Sequence, residues 1–172
     1  MRIFFLSMFC PRIGPFEESS VRFTVWPSDC DINLHMNNGR YLTIMDLGRT
    51  HLLSQLRLLW RLPGRRWFPV VGGVHIDYYR SLDPLQQYDL VTQLLAYDEK
   101  WFYLEQRFER QGRVMARAHL RALFLGPGGK VDPVDVVTLA MGELIPSPVH
   151  DVTEYWKGSA EGTNAAGGDF IA

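Results

Sequence analysis

Residues 27 to 41 run Pro27-Ser28-Asp29-Cys30-Asp31-Ile32-Asn33-Leu34-His35-Met36-Asn37-Asn38-Gly39-Arg40-Tyr41. A carboxylate, a carboxamide and an imidazole (Asp31, Asn33 and His35) occupy alternate positions of this short loop. Asn37 and Asn38 then open a long apolar helical pattern, so the three polar side chains converge at the positive end of a helix. A helix start has backbone N–H groups without intrahelical acceptors, and these can hold a developing oxyanion. Base, orienting amide, proton carrier and oxyanion donors together suit the hydrolysis of an acyl group.

The pattern behind the loop extends from Asn38 to Trp60. Tyr41, Met45, Gly48, Leu52, Leu56 and Leu59 recur at spacings of three and four, opposite a narrower polar stripe of Thr43, Asp46, Thr50, Ser54, Arg57 and Arg61. A helix whose apolar sector is the wider one is largely enclosed, and Pro63-Gly64 ends it. Asn38-Gly39 is also a hairpin-turn dipeptide, but the residues after it have helical rather than alternating spacing. Before the loop, Val21–Trp26 alternates and stops at Pro27, as a strand does.

Four β-favouring stretches follow the helix: Trp67–Tyr79, Tyr88–Tyr97, Trp101–Arg110 and Arg113–Leu125, with turn residues between them. A short helix is expected over Pro133–Met141, capped by Asp132 with Pro133 at its first position. This order predicts an α+β fold in which a five-stranded antiparallel sheet wraps around one long central helix. Such a sheet covers the helix on one side only. The open side and the sheet edges call for a second copy, so a homodimer is expected.

The 172 residues, 47% hydrophobic and 22% charged, have the composition of one ordinary globular domain. A net charge of −1 gives no sign of a nucleic-acid partner. Cys10 and Cys30 make no disulfide framework, which predicts a reducing, cytoplasmic compartment. Cys30 lies between two aspartates that raise a thiol's pKa, so it is not read as a nucleophile. The apolar start Met1–Cys10 is cut short by Pro11 and Pro15, well below the roughly 20 residues of a membrane span, and it lacks a signal peptide's cleavage site. No transmembrane segment is expected elsewhere. Residues 1–19 are read as an apolar extension, 20–145 as the folded domain and 146–172 as a partly mobile, Gly- and Ala-rich tail.

The order of elements, with Asp29-Cys30-Asp31…His35-Met36-Asn37-Asn38…Tyr41, resembles the hotdog-fold acyl-CoA thioesterases of the 4-hydroxybenzoyl-CoA thioesterase type. The spacing Asp31-x-Asn33-x-His35 is similar to the catalytic loop of plant-type acyl-ACP thioesterases of the same superfamily. Asp77-Tyr78-Tyr79-Arg80…Pro84…Tyr88-Asp89-Leu90-Val91 is similar to the family's second and third strands. The resemblance covers roughly residues 20 to 125. It implies a hotdog fold that hydrolyses an acyl-CoA or acyl-ACP substrate, with Asp31 as general base or nucleophile and Asn33 and His35 assisting. Backbone N–H groups at the helix start, around Asn37 and Asn38, would hold the thioester carbonyl oxygen. It further implies a homodimer or a dimer of dimers, with active sites at the subunit boundary and no metal or redox cofactor. Leu34 stands where the family often has Gly, and the further acidic or cysteine residue of the acyl-ACP branch has no counterpart.

Arg57, Arg61, Arg65 and Arg66 cluster after the helix, with Arg80 as a second basic position. They serve either as cations at a helix carboxyl end or as contacts for coenzyme A phosphates. Aromatic residues on the expected strands, among them Trp67, Tyr78, Trp101 and Phe102, either line an acyl tunnel or pack the sheet. Asp29, Asp31 and Asn33 match the first, third and fifth positions of a calcium loop, but its sixth position is Leu34 and its twelfth is Arg40. There is no Gly-x-Ser-x-Gly elbow. Gly126–Lys130 lacks the Ser or Thr that a phosphate-binding loop needs after its Lys. Two other functions share the expected fold: an acyl-thioester hydratase, which needs His and acid placed for C–H chemistry, and a non-catalytic acyl or coenzyme A binding or dimeric interaction protein.

Overall fold

In the computed structural model, residues 11–148, Asp151 and Trp156 are described. The apolar start, Cys10 and most of the tail lie outside those residues. The elements are β1 (Ser19–Thr24), a single 3-10 turn at Pro27–Asp29, α1 (Asn38–Gln55), α2 (Leu62–Arg65), β2 (Phe68–Tyr78), β3 (Gln87–Tyr97), β4 (Phe102–Arg110), β5 (Arg113–Gly126), β6 (Gly129–Val131) and α3 (Pro133–Met141). The sheet order is β1-β3-β4-β5-β2, with β6 folded back on β5, and every pairing is antiparallel. The five long strands and the central helix are those the sequence pattern predicts. The three-residue β6 is an addition, closing a hairpin across Pro127-Gly128. Among the described residues no helix is long and apolar enough to cross a membrane.

The central helix is shorter than its apolar pattern. It ends at Gln55 instead of Trp60, because Arg57 takes a left-handed backbone with φ +60°. The N–H of Leu58 donates to Leu53 O and that of Arg57 to Ser54 O, the paired bonds of a Schellman motif. Glycine usually holds that left-handed position, so an arginine there hides the stop. As a result Arg57 and Arg61 do not share a helix face.

At Gly48 α1 lies tight against the sheet. A Cβ built there would sit 2.5 Å from Leu90 Cδ2 and 2.8 Å from Thr92 Oγ1. Gln106, fully buried on β4, fastens the crossing. Its Nε2 donates to Met45 O and Thr92 Oγ1, and its Oε1 accepts from Arg49. Around this point Met45, Leu52, Leu90, Phe108 and Leu120 form the centre of the core. Ser54, placed in the polar stripe by spacing, is buried instead.

The two faces of the sheet differ. Opposite the helix, Glu105 pairs with His119 at 3.2 Å and Arg107 at 2.5 Å. The Arg121 guanidinium lies between the rings of Trp101 and Trp156, 4.8 and 5.1 Å from their centroids. Trp156 is thus a packed part of the tail. β2 forms one end of the sheet order, and its Phe68, Val71, Val74 and Tyr78 are exposed. An edge strand with apolar side chains is a template for another strand.

Candidate active site

The loop behind β1 is a small hairpin. Cys30 and Met36 form an antiparallel bridge, the Asp31 N–H donates to His35 O at 3.0 Å, and the Leu34 N–H donates to Asp31 O at 3.0 Å. Three residues, Ile32-Asn33-Leu34, make the tip. Leu34 has φ +59°, the left-handed residue that closes such three-residue loops. This is the position where the resembling family often carries Gly.

Within that hairpin the three alternate residues meet through the backbone more than through side chains. Asp31 Oδ1 accepts the main-chain N–H of Asn33 at 2.8 Å, a local turn bond open to any residue but proline. The Asn33 carboxamide itself is exposed. Asp31 and His35 flank the tip as a bridged pair, and the His35 ring lies 3.6 Å from Asp83 Oδ1. Asp83, in the turn before β3, is a residue that sequence reasoning missed. Its only trace was its place in the Ser81–Pro84 break, which the spacing marks as a turn and nothing more.

Asp29 holds the base of the hairpin. It is buried, its carboxylate accepts the Trp26 N–H at 2.9 Å, and the Arg40 guanidinium lies 2.8 Å away. Its own carbonyl accepts the Asn37 N–H at 2.9 Å. Asn37 caps α1, taking the Gly39 N–H on Oδ1 and the Arg40 N–H on its carbonyl. Two of the first N–H groups of the helix, those of Gly39 and Arg40, are therefore already engaged. The Met36 N–H donates to Leu82 O, joining the hairpin to the loop that carries Asp83.

Beneath the helix start lies an aromatic floor. Tyr41 meets Tyr78 and Phe108 edge-on at 5.0 and 4.7 Å. Burial pushes the Tyr41 phenol up to about 12, so it stays protonated. The Tyr78 hydroxyl reaches Asn38 O at 3.4 Å, which ties the edge strand to the helix start. The Cys30 thiol is also pushed up, chiefly by burial and then by Asp29, Asp31 and Asp83.

The basic positions sit elsewhere. Arg61 donates to Leu139 O at 2.6 Å, at the carboxyl end of α3, and Arg65 stacks over Trp67 at 5.0 Å. Arg66 is the left-handed cap of α2. With Arg57 these lie beyond the far end of α1, about 27 Å of helix from the hairpin at 1.5 Å per residue. Arg80 is exposed just after β2, its N–H bonded to Met115 O. Among the described residues no group of His, Cys, Asp and Glu side chains is arranged to hold a metal ion.

A cavity of about 310 Å³ opens between the second half of α1, the sheet and α3. Leu94, Phe102, Leu104, Ala122 and Val137 line its buried part, while Asp46, Arg49 and Val71 stand at the surface side. Of the aromatic residues singled out from the strand pattern, Phe102 reaches it, whereas Trp101 packs with Tyr103 on the opposite face of the sheet.

The Thioesterase-like superfamily pattern matches residues 25–141 of the chain. A protein of Saccharomyces cerevisiae described as a probable thioesterase is 26% identical over 127 residues, covering 72% of this chain and 55% of its own length. The chain spans about half the length of the relatives it matches. A solved gentisyl-coenzyme A thioesterase superposes with a TM-score of 0.64 at 21% identity, over 71% of this chain and 98% of that one. A Staphylococcus aureus protein solved in complex with CoA gives 0.66 at 12% identity, over 82% and 95%. At such identities the two structures establish the shared fold.

Proposed function

This chain belongs to the Thioesterase-like superfamily, and we propose that it hydrolyses an acyl-CoA to the free acid and coenzyme A, with Asp31 as the reacting carboxylate. The observation that carries this reading is the hairpin that sets Asp31 and His35 side by side against the capped start of α1. Asp31 is fixed by the Asn33 N–H on one oxygen, which leaves its other oxygen to activate water or attack the thioester carbonyl. The Asn38 N–H, for which a helix offers no acceptor, faces charge developing at the carbonyl oxygen. His35 assists departure of the thiolate, a leaving group that needs little acid help. Preference for CoA over ACP draws support from the CoA bound by one structural neighbour and the CoA thioester named for another.

The working unit of this proposal is a homodimer in the cytoplasm. Pairing two β2 edges about a two-fold axis covers Phe68, Val71, Val74 and Tyr78 and continues the sheet across both copies. The arginines beyond α1, with Arg80, then offer charge for the CoA phosphates. The direct test is release of free thiol from a series of acyl-CoA substrates, repeated with Asp31→Asn. Hydrolysis that depends on Asp31 supports the reading. Binding of acyl-CoA with no turnover would favour a carrier protein instead.

A further inference from the structure

We infer that Arg40, paired with the buried Asp29, is a positioning residue of the candidate active site: the pair fixes the distance from the carboxylate of Asp31 to the start of α1, and it neutralises the charge of Asp29 beside Asp31. This rests on the thioesterase reading above and adds to it a residue that touches neither water nor thioester.

A cation is out of place where Arg40 stands. It is the third residue of α1, and the first turn of a helix favours anions and disfavours positive charge. The helix gives an arginine no stabilisation there. Its partner does, because the guanidinium lies 2.8 Å from Asp29 Oδ1, while the other carboxylate oxygen accepts the Trp26 N–H at 2.9 Å. A buried carboxylate needs such partners to stay ionised.

Three contacts then close a ring. Asp29 O accepts the Asn37 N–H at 2.9 Å, Asn37 O accepts the Arg40 N–H at 2.8 Å, and the Arg40 side chain returns to Asp29. Asn38, whose N–H is the oxyanion donor of the proposed reaction, follows Asn37 in this ring. Asp31 is joined to the ring through one extended residue, Cys30, at φ −94° and ψ 153°. The ring therefore sets the spacing between the reacting carboxylate and the oxyanion donor.

The same pair balances charge. Asp29, Asp31 and Asp83 all act on the Cys30 thiol and, after burial, raise it. His35 stands across the hairpin from Asp31 and faces Asp83 at 3.6 Å, and Arg40 reaches in from α1. Behind them burial raises the Tyr41 and Tyr88 phenols, so both stay neutral. The α-carbons of Asp29 and Asp31 are about 6.6 Å apart at 3.3 Å per residue. An unbalanced charge on Asp29 or Arg40 would therefore act on the ionisation of Asp31.

The test follows kcat and KM for an acyl-CoA from pH 3 to 7, with folding checked by circular dichroism. Asp29→Asn keeps an oxygen for the Trp26 N–H but leaves Arg40 unbalanced. The added positive charge favours ionised Asp31, so the acid limb of kcat/KM should move to lower pH by about 0.5–1 unit. The double variant Asp29→Asn/Arg40→Gln carries neither charge and should return the limb to its native position. With the ring opened, its kcat should stay about tenfold or more below native while KM changes less than twofold. Arg40→Lys keeps the charge and should leave the limb in place. A limb that stays put in Asp29→Asn, fails to return in the double variant, or moves in Arg40→Lys would overturn the charge role. Native kcat in the double variant would overturn the spacing role. Titration of the Asp31 carboxyl by ¹³C NMR reports the same movements without catalysis. Those movements in a protein whose native form hydrolyses nothing would uphold the pair and overturn the thioesterase reading alone.

Discussion

The imidazole of His35 lies 3.6 Å from the carboxylate of Asp83, a residue 48 positions later on a separate loop. The carboxylate facing the ring is thus Asp83 and not Asp31, although Asp31 is bonded to His35 through the backbone. In the proposed mechanism two carboxylates therefore divide the work, Asp31 as reacting group and Asp83 as the partner that orients the imidazole.

Asp83→Asn should lower kcat several-fold by releasing the His35 ring, with little effect on stability, since both side chains are about half exposed. In His35→Ala the same change should have almost no further effect. Steady-state kinetics on the four members of this cycle give the coupling directly, and independent effects of the two changes would dismiss the pairing.

Asp31→Asn keeps an oxygen able to accept the Asn33 N–H, so the hairpin should survive. Its kcat should nevertheless fall by about 10²–10⁴, the usual contribution of a positioned acid–base group. A single turnover in ¹⁸O-water distinguishes the chemistry. Label in the Asp31 carboxylate marks nucleophilic attack in which water opens the mixed anhydride at that carboxyl, whereas general-base catalysis puts label only in the product acid. Near-native turnover by Asp31→Asn would remove the hairpin from the mechanism.

Leu34 holds a left-handed backbone at a cost of about 1–2 kcal/mol. Leu34→Gly removes that strain but adds about 0.5–1 kcal/mol of chain entropy, for a small net gain in stability. Leu34→Val, with a branched β-carbon at φ +59°, should lose a further ~1 kcal/mol or more. Urea midpoints should fall in the order Gly, Leu, Val; equal midpoints for Leu and Val would show that the tip relaxes freely.

Gly48→Ala should destabilise the protein by about 1–3 kcal/mol, as overpacking does. The roughly 1 kcal/mol that alanine adds to a helix interior is outweighed, because the new methyl falls 2.5 Å from Leu90 Cδ2 and 2.9 Å from Gln106 Nε2. A raised thermal midpoint would mean that helix and sheet are free to separate at this crossing.

Glu105 carries the pH dependence of the outer sheet face. Its bond to His119, with those to Arg107 and the nearby Arg117, holds the carboxyl at about 2, below its ordinary 4.5. A lowered carboxyl pKa contributes stability that is complete above the ordinary value and is lost as pH falls toward the folded value. Glu105→Gln should therefore cost about 1.5–3 kcal/mol at neutral pH, and the difference should shrink from about pH 4.5 downward. A gap independent of pH between 6 and 2 in urea titrations would contradict the ion-pair account.

The amino-acid order by itself determined the run of elements and the cap residues. Alternation and three-to-four spacing are local signals, and so are Asn37 before α1 and Asp132 before α3, whose side chains bond N–H groups two residues on. The hairpin at Asp31 was legible as a polar loop at a helix start for the same reason. Only the tertiary structure decided that Arg57 and Leu34 take left-handed backbones, because any residue type can be held there when surrounding bonds fix it. Only it brought Asp83 to His35 and opened the cavity between α1, α3 and the sheet. Those arrangements join residues tens of positions apart, and their geometry is set by strand register and helix packing, which no local spacing encodes.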